Sequence, residues 1–168
     1  MADVAGAIRD AGALPGLWLA PFVAEKKSAV LRDHPEFVLR DDRGRPVRAG
    51  YNPLWSGPFF ALDTERPEVR DHLRRVFDRV LDDWGFGLVK LDFLYAAARH
   101  HRPGKPRGAV MTDAMRFLRE AVGDRLILGC GVPLAPAFGR VDYCRIGADV
   151  HLAWDCLLYT SPSPRDVS

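Results

Sequence analysis

Apolar residues along the chain recur partly at helical and partly at strand-like spacing. The clearest helical stripe has apolar positions three and four apart on one face, and Gly85 ends it. Its members are Val69, Leu73, Val76, Phe77, Val80, Leu81 and Trp84. Shorter helical patterns predict helices over residues 4–11 and 110–122. Short, almost continuously apolar runs predict strands over residues 16–21, 86–93, 126–130 and 143–147.

The predicted strands alternate with amphipathic helices, which indicates a parallel sheet covered by helices. No glycine-rich phosphate-binding sequence follows any of the strands, so a doubly wound nucleotide-binding sheet is disfavoured. Polar residues instead gather at the carboxyl ends of several strands, where a (β/α)8 barrel forms its active site. A complete barrel takes about 250 residues. The predicted fold class is therefore α/β, a partial (β/α)8 TIM barrel with about four of the eight strands.

Two segments fit this outline less directly. Residues 22–62 show no regular spacing, and we predict an irregular segment there with a hairpin tip at residues 40–46. Residues 131–140 join the last two predicted strands. They are fewer than the roughly twelve residues that a parallel crossover usually needs.

The overall composition argues against several partners. Hydrophobic residues make up 48% of the chain and charged residues 27%, and the net charge of +2 comes from interleaved basic and acidic side chains. The chain has neither a basic stripe nor an apolar run near the roughly 20 residues that cross a bilayer, so we expect no nucleic-acid or membrane partner.

The cysteines and histidines do not predict a metal site. Cys130 and Cys144 lack metal-ligand spacing, and we interpret them as reduced thiols of a cytoplasmic enzyme. His100 and His101 are adjacent, so their side chains diverge, and no further ligand is spaced to join them. We therefore expect neither a metal nor a cofactor.

The end of the chain differs from the rest. The run from Cys156 to Asp166 matches the in-frame translation of a sequencing adaptor, although an ordinary polar tail rich in serine and proline is the alternative. We therefore expect residues 156–168 to be a non-native tail. Residues 1–155 are then expected to form a fragment of a catalytic domain.

Two carboxylates at the ends of predicted strands suggest glycosidic bond cleavage. Asp92 ends one strand and Asp149 follows the last. In such chemistry one carboxylate attacks the anomeric carbon while the other protonates the leaving oxygen. Lys90 points the same way as Asp92 because strand side chains alternate, and its ammonium favours an ionised carboxylate. Arg145 keeps its proton and can therefore grip a sugar hydroxyl.

Each of these residues also has a structural interpretation. An aspartate just past a strand often caps the next helix, and Lys90 could be a surface lysine at the start of a loop. Trp18 and Cys130 are each more often packed in a core than in contact with a sugar.

Five motifs in order resemble the catalytic barrel of glycoside hydrolase family 36, the α-galactosidase (melibiase) group. The resemblance spans residues 5–154. The motifs are GLWLAP at 16–21, HPEFVL at 34–39, LD at 62–63 with PEVR at 67–70, VKLDF at 89–93, and RIGAD at 145–149.

The resemblance implies a retaining mechanism with Asp92 as the nucleophile and Asp149 as the acid/base. It also implies that the sugar is contacted by Trp18, Lys90, Cys130 and Arg145. The strands correspond to the third to sixth of the eight. Family members carry a β-sandwich before the barrel and a β-domain after it.

Two positions depart from the family pattern. Leu91 stands where the family usually has tryptophan, and we expect this change to affect the leaving-group side of the site. Gly147 stands where serine is common, which bears on the sugar that is accepted.

The leading hypothesis is a retaining α-glycosidase that cleaves terminal α-galactosides of oligosaccharides or other glycosides. A transglycosylase of the raffinose-synthase kind would use the same residues. A Schiff-base lyase or aldolase with Lys90 as the nucleophile is a further alternative, although Asp92 would stabilise the unreactive ammonium. A non-catalytic sugar-binding barrel is the last. We expect the fragment itself to be inactive, and the sequence leaves homo-oligomerisation of the full-length protein open.

Overall fold

The computed structural model describes residues 1–55 and 57–147, which form seven strands and five α-helices. Asp149 and the predicted tail at residues 156–168 lie outside the described residues. The strands are β1 Gly16–Leu19, β2 Val23–Glu25, β3 Arg48–Asn52, β4 Gly57–Ala61, β5 Leu88–Leu91, β6 Leu126–Cys130 and β7 Tyr143–Arg145. The helices are α1 Ala2–Asp10, α2 Ala29–Asp33, α3 Pro67–Asp78, α4 Arg107–Val122 and α5 Leu134–Ala137.

The main sheet is parallel, with strand order β1-β5-β6-β7. It contains all four strands that the apolar runs predict. The short connection between β6 and β7 still makes a parallel crossover, because α5 has a single turn and β7 starts only at Tyr143. The prediction of a partial (β/α)8 barrel with about four strands is confirmed.

Helices cover one face of this sheet. Val89, Leu91 and Ile127 are fully buried beneath them. The predicted stripe forms the buried side of α3, which starts at Pro67, where the missing N–H is not needed. A π-helical turn, Arg79–Asp83, continues α3 and buries Val80 and Leu81. The helix predicted over residues 110–122 is α4.

The prediction of an irregular segment over residues 22–62 is wrong. Strands β2, β4 and β3 form an antiparallel sheet in that order. These strands are short, and the β3–β4 register shifts between Arg48 and Gly50, so no period-2 pattern is sustained in the sequence. A Cβ at Gly50 would lie 2.4 Å from the Phe59 ring, which requires glycine there. The predicted hairpin tip is present, closed by a bridge between Arg40 and Pro46.

The face of the parallel sheet opposite the helices is open over much of its area. Trp18 and Tyr143 lie on this face, with 42% and 56% of their surface exposed. Among the described residues, β1 and β7 are the edge strands, and each lacks a neighbour on its outer side. Within residues 1–55 and 57–147, no helix has the length and apolar character needed to cross a membrane.

The open edges and the open face predict the behaviour of the 168-residue chain on its own. Unpaired strand edges and exposed apolar side chains promote association between chains. We expect this chain to be insoluble or poorly folded when expressed alone, and to become soluble when the remaining barrel strands are supplied. Sedimentation and thermal unfolding of the two forms test this. A soluble monomer of the 168-residue chain with a cooperative unfolding transition would contradict it.

Candidate active site

Strand pairing brings the predicted site residues together at the carboxyl end of the parallel sheet. The Asp92 N–H donates to the carbonyl oxygen of Leu19 at 2.9 Å, which extends the β1–β5 ladder by one residue. Leu91 pairs with Gly129, so the next residue of β5, Asp92, lies level with Cys130 on β6. Cys130 in turn pairs with Arg145 on β7, which places all three residues at one level of the sheet. Lys90 lies two residues before Asp92 and therefore on the same face of the sheet, where it pairs with Trp18 on β1.

The Asp92 carboxylate is held by two hydrogen bonds. The Trp18 Nε1–H donates to Oδ2 at 3.3 Å, and the Phe93 backbone N–H donates to Oδ1 at 2.8 Å. One donor comes from a neighbouring strand and the other from the residue that follows Asp92. Together they fix the plane of the carboxylate and leave remaining lone pairs for a substrate.

Phe93, directly after Asp92, has an unusual backbone. Its φ of 54° and ψ of 31° lie in the left-handed region, which an aromatic residue rarely adopts. Its ring centroid lies 5.1 Å from that of Phe59 and 5.4 Å from that of Trp55. The second sheet therefore packs directly against the residue that orients Asp92. We use the name aromatic cluster for Trp18, Trp55, Phe59, Phe93 and Tyr95.

Tyr95 ties the site to two neighbouring segments. Its backbone N–H donates to the carbonyl oxygen of Gly131 at 2.7 Å, and its hydroxyl donates to the carbonyl oxygen of Ala49 at 3.3 Å. Gly131 has a φ of 64°, and a Cβ there would lie 3.3 Å from the Tyr95 ring. Burial raises the pKa of Tyr95, and the negative charge of Asp92 acts in the same direction. The hydroxyl therefore stays a hydrogen-bond donor at neutral pH.

Cys130 lies at the centre of the predicted constellation. Its side chain is fully buried, and burial raises the pKa of the thiol, with a further contribution from the charge of Asp92. The charges of Arg145 and Lys90 act on the same thiol in the opposite direction. All three charged side chains are thus within electrostatic range of one sulfur atom.

The structure therefore brings together all but one of the predicted site residues. The five that converge are Trp18, Lys90, Asp92, Cys130 and Arg145. Asp149 lies outside the described residues, so its approach to Asp92 stays a prediction. The described residues contain no group of three or more histidine, cysteine, aspartate or glutamate side chains that could hold a metal ion.

The expectation for Leu91 is wrong. Its side chain is fully buried on the helix-covered face of the sheet, whereas Lys90 and Asp92 point to the other face. The change from the family's tryptophan therefore alters core packing and cannot shape the leaving-group side directly.

Sequence reasoning missed Trp55, Phe59 and Tyr95 as parts of the site. The aromatic density of residues 51–60 was a usable signal, but nothing local indicates that it reaches Phe93. Phe93 itself carries no sequence signal for a left-handed backbone, since glycine or asparagine is usual there.

An ionic network fixes the loop that follows Asp92. Arg102 Nη2 lies 2.6 Å from Asp63 Oδ1, and its Nη1 lies 3.1 Å from Glu65 Oε2. Lys105 forms a second ion pair with Glu65. The Arg102 and Asp63 side chains are only 16% and 20% exposed, so solvent screens the pair weakly. The network anchors the β5–α4 connection to the segment before α3.

Comparisons with known proteins find α-galactosidases that are similar to this chain. The α-galactosidase TtGalA from Thermus thermophilus, solved with p-nitrophenyl α-D-galactopyranoside, is 43% identical over 92% of this chain, with a TM-score of 0.81. The bifunctional α-galactosidase/sucrose kinase AgaSK of Mediterraneibacter gnavus is 29% identical over 135 residues, 77% of this chain. The family 36 α-galactosidase AgaA from Geobacillus stearothermophilus, at 20% identity over 84% of this chain and a TM-score of 0.61, shows the same fold.

The chain is much shorter than these proteins. It spans 31% of the Thermus enzyme, 13% of AgaSK and 21% of AgaA. No family model matches the chain. The predicted resemblance to the catalytic barrel of family 36 α-galactosidases is confirmed by the solved structures and by AgaSK.

The Cys130 environment predicts low thiol reactivity in the folded protein. Alkylation requires the thiolate, and the raised pKa keeps the thiol protonated through neutral pH. We expect iodoacetamide at pH 7.5 to leave Cys130 largely unmodified in the folded protein with its complete barrel, as measured by peptide mass spectrometry. The same protein unfolded in denaturant is the control, because its thiol regains the ordinary pKa. Native and unfolded labelling at equal rates would contradict the buried placement.

The ionic network predicts that removing Arg102 destabilises the protein more than removing the exposed Arg32. Arg102→Ala leaves Asp63 and Glu65 partly buried without their shared partner, and we expect the free energy of unfolding to fall by about 2 kcal/mol. Arg32 pairs with Asp33 at a similar distance, 2.7 Å, but both side chains are more than half exposed. Arg32→Ala should therefore cause no measurable change. Urea unfolding of both variants, made in the protein with its complete barrel, measures the two changes. Equal losses of unfolding free energy would contradict the argument that burial of the ion pair sets the cost.

Proposed function

We propose that the full-length protein is a cytoplasmic, retaining α-galactosidase and that this chain carries part of its catalytic barrel. The observation that carries the proposal is the position of Asp92, level with Cys130 and Arg145 and hydrogen-bonded to Trp18 at the carboxyl end of a parallel sheet. The 43% identity to the Thermus α-galactosidase over 92% of the chain supports it. The free thiols of Cys130 and Cys144 support the location.

The mechanism is a double displacement. An Asp92 carboxylate oxygen attacks the anomeric carbon, and the bond to the leaving-group oxygen breaks as Asp149 gives that oxygen a proton. A water molecule then attacks the same carbon, loses its proton to Asp149 and releases Asp92. Retaining geometry requires the two carboxyl groups to lie about 5 to 5.5 Å apart. Trp18 and the Phe93 N–H hold Asp92 in position through both steps.

The other residues have supporting roles in this mechanism. Lys90 lies on the same face of β5 as Asp92 and places a positive charge near the reacting carbon. Arg145 can donate to sugar hydroxyls. Cys130 is held as a neutral thiol and packs between them. The strand pairing that sets Asp92, Cys130 and Arg145 at one level supports the proposal of these roles.

The ligands of similar proteins support the proposed substrate class. TtGalA was solved with stachyose, and AgaA variants were solved with raffinose and stachyose. We therefore propose terminal α-galactosyl units on oligosaccharides as substrates. Transfer of galactose to another sugar in place of water would use the same residues. The Schiff-base alternative has less support, because Asp92 shares the face and surroundings of Lys90.

A covalent trap tests the nucleophile. The full-length protein is incubated with an activated, slowly turned over fluorinated α-galactoside, and peptide mass spectrometry locates the adduct. We expect a galactosyl adduct on Asp92, and a loss of turnover of at least about 1,000-fold in Asp92→Asn. Asp71→Asn, on the exposed side of α3, is the matched control and should keep full turnover.

The other outcomes separate the alternatives. An adduct on a different carboxylate would overturn the role of Asp92. Unchanged function in Asp92→Asn would indicate a non-catalytic sugar-binding barrel. No adduct in a folded protein, together with borohydride trapping of a carbonyl substrate on Lys90, would indicate Schiff-base chemistry.

A further inference from the structure

The three side chains of β7 are too exposed to fix the register of this strand. Tyr143 is 56% exposed, and Cys144 and Arg145 are half-buried, whereas the neighbouring strand β6 carries the fully buried Ile127. A slip of one residue in β7 would turn the Arg145 side chain from the open face of the sheet to the helix-covered face. The placement of Arg145 therefore depends on contacts that lie outside its own strand.

Asp142 directly precedes β7 and bonds both backbone polar groups of Ile127. Its N–H donates to the Ile127 carbonyl oxygen at 3.0 Å, and its Oδ2 accepts from the Ile127 N–H at 2.8 Å. In a parallel ladder this acceptor is ordinarily a backbone carbonyl, so the carboxylate stands in for a main-chain group. Because Ile127 is fully buried in β6, the two hydrogen bonds give β7 a fixed starting point.

Arg119, in the last turn of α4, holds this carboxylate in place. Its Nη2 donates to Asp142 Oδ2 at 2.6 Å, and its Nε donates to the carbonyl oxygen of Arg140 at 3.0 Å. Its Nη1 donates to the carbonyl oxygens of Gly123 at 2.9 Å and Arg125 at 3.0 Å. One guanidinium thus joins the end of α4, the turn before β6 and the residues that lead into β7.

The carboxylate of Asp142 is charged at neutral pH. Burial acts to raise the pKa of Asp142, but the Ile127 N–H and the Arg119 guanidinium outweigh burial and hold the pKa below its ordinary value. The ionised carboxylate accepts from both donors, and such charge-assisted hydrogen bonds are stronger than neutral ones. We use the name register clamp for Arg119, Ile127 and Asp142.

We propose that the register clamp positions Arg145 towards the sugar, and that Asp142 affects turnover through Arg145 without touching the substrate. The inference rests on the proposed function. Asp142 and Arg145 lie at opposite ends of β7, about 10 Å apart along the strand. Their separation of three residues also places the two side chains on opposite faces of the sheet. The clamp therefore faces α4, while Arg145 shares the open face with Cys130.

Turnover of p-nitrophenyl α-D-galactopyranoside by the full-length protein tests this inference. Asp142→Ala removes the acceptor of both donors. We expect kcat/KM per active site to fall about tenfold, as for the loss of one charge-assisted hydrogen bond to the sugar. Active sites are counted as the fraction of molecules that the fluorinated α-galactoside labels at completion. A purely structural role would lower that fraction and leave kcat/KM per labelled site unchanged.

A double-mutant cycle with Arg145→Ala tests whether Asp142 acts through Arg145. In the Arg145→Ala background, Asp142→Ala should change kcat/KM by less than about twofold, because the contact that it disturbs is already gone. A tenfold fall in both backgrounds would overturn the inference.

Asp142→Asn is the milder variant of the same cycle. It keeps an oxygen for the Ile127 N–H and loses the charge that faces Arg119, so we expect kcat/KM per labelled site to fall about threefold. The fall should again disappear in the Arg145→Ala background. This variant decides if Asp142→Ala does not fold.

Asp82 provides the matched control. It pairs with Arg125 at 3.5 Å near the same end of the sheet, but it lies on the π-helical turn that continues α3. Asp82→Ala should therefore leave kcat/KM per labelled site within about twofold of the wild-type value.

Failure of this inference differs from failure of the proposed function. Unchanged kcat/KM per labelled site in Asp142→Ala, or in Asp142→Asn where the alanine variant does not fold, would overturn the positioning role while the α-galactosidase proposal stands. If folded wild-type protein neither turns over the substrate nor binds galactose by calorimetry, the proposed function fails and this inference fails with it.

Discussion

The site depends on the parallel pairing of β5 with its two neighbours. The hydrogen bond from the Asp92 N–H to Leu19 carries the ladder past the end of β5, and the β6–β7 pairing sets Cys130 opposite Arg145. A slip of one residue in β5 would turn Asp92 and Lys90 towards the helices and bring Leu91 to the open face. The buried residues of that strand, Val89 and Leu91, oppose such a slip because it would expose them. Core packing therefore fixes the direction of the reactive carboxylate.

The antiparallel sheet, in contrast, packs against the turn that follows β5. Phe93 adopts a left-handed backbone that costs about 1 to 3 kcal/mol for a residue of this kind. Its ring packs against Trp55 and Phe59, which offsets that cost through aromatic contacts in the aromatic cluster. The same conformation directs the Phe93 N–H to Asp92. Strain, packing and the orientation of the carboxylate are thus connected in one residue.

Features that depend on residues close in sequence could be predicted, whereas contacts between distant residues could not. The stripe of α3 and the four parallel strands were predictable, because their periodicity is local and their burial is continuous. The pairing of β2, β4 and β3 was not, because short strands with a register shift leave no repeating pattern. Leu91 was misjudged because family resemblance was used without the alternation of strand side chains. Trp55 reaches the site through contacts with Trp18 and Phe93, which lie far from it in sequence.

The two sheets also differ in how well they tolerate substitution. Residues on β5 and β6 are constrained by register, because the buried Val89, Leu91 and Ile127 alternate with the side chains on the open face. The Pro53–Trp55 turn has no such constraint, because Leu54 is almost fully exposed and its backbone is held by the adjacent Asn52. Substitution of Leu54 is therefore expected to leave Asp92 in place. Under the proposed function, the strands would fix the reaction and the sugar at the bond that is cleaved. The turn, in contrast, can vary in sequence at little cost to the fold.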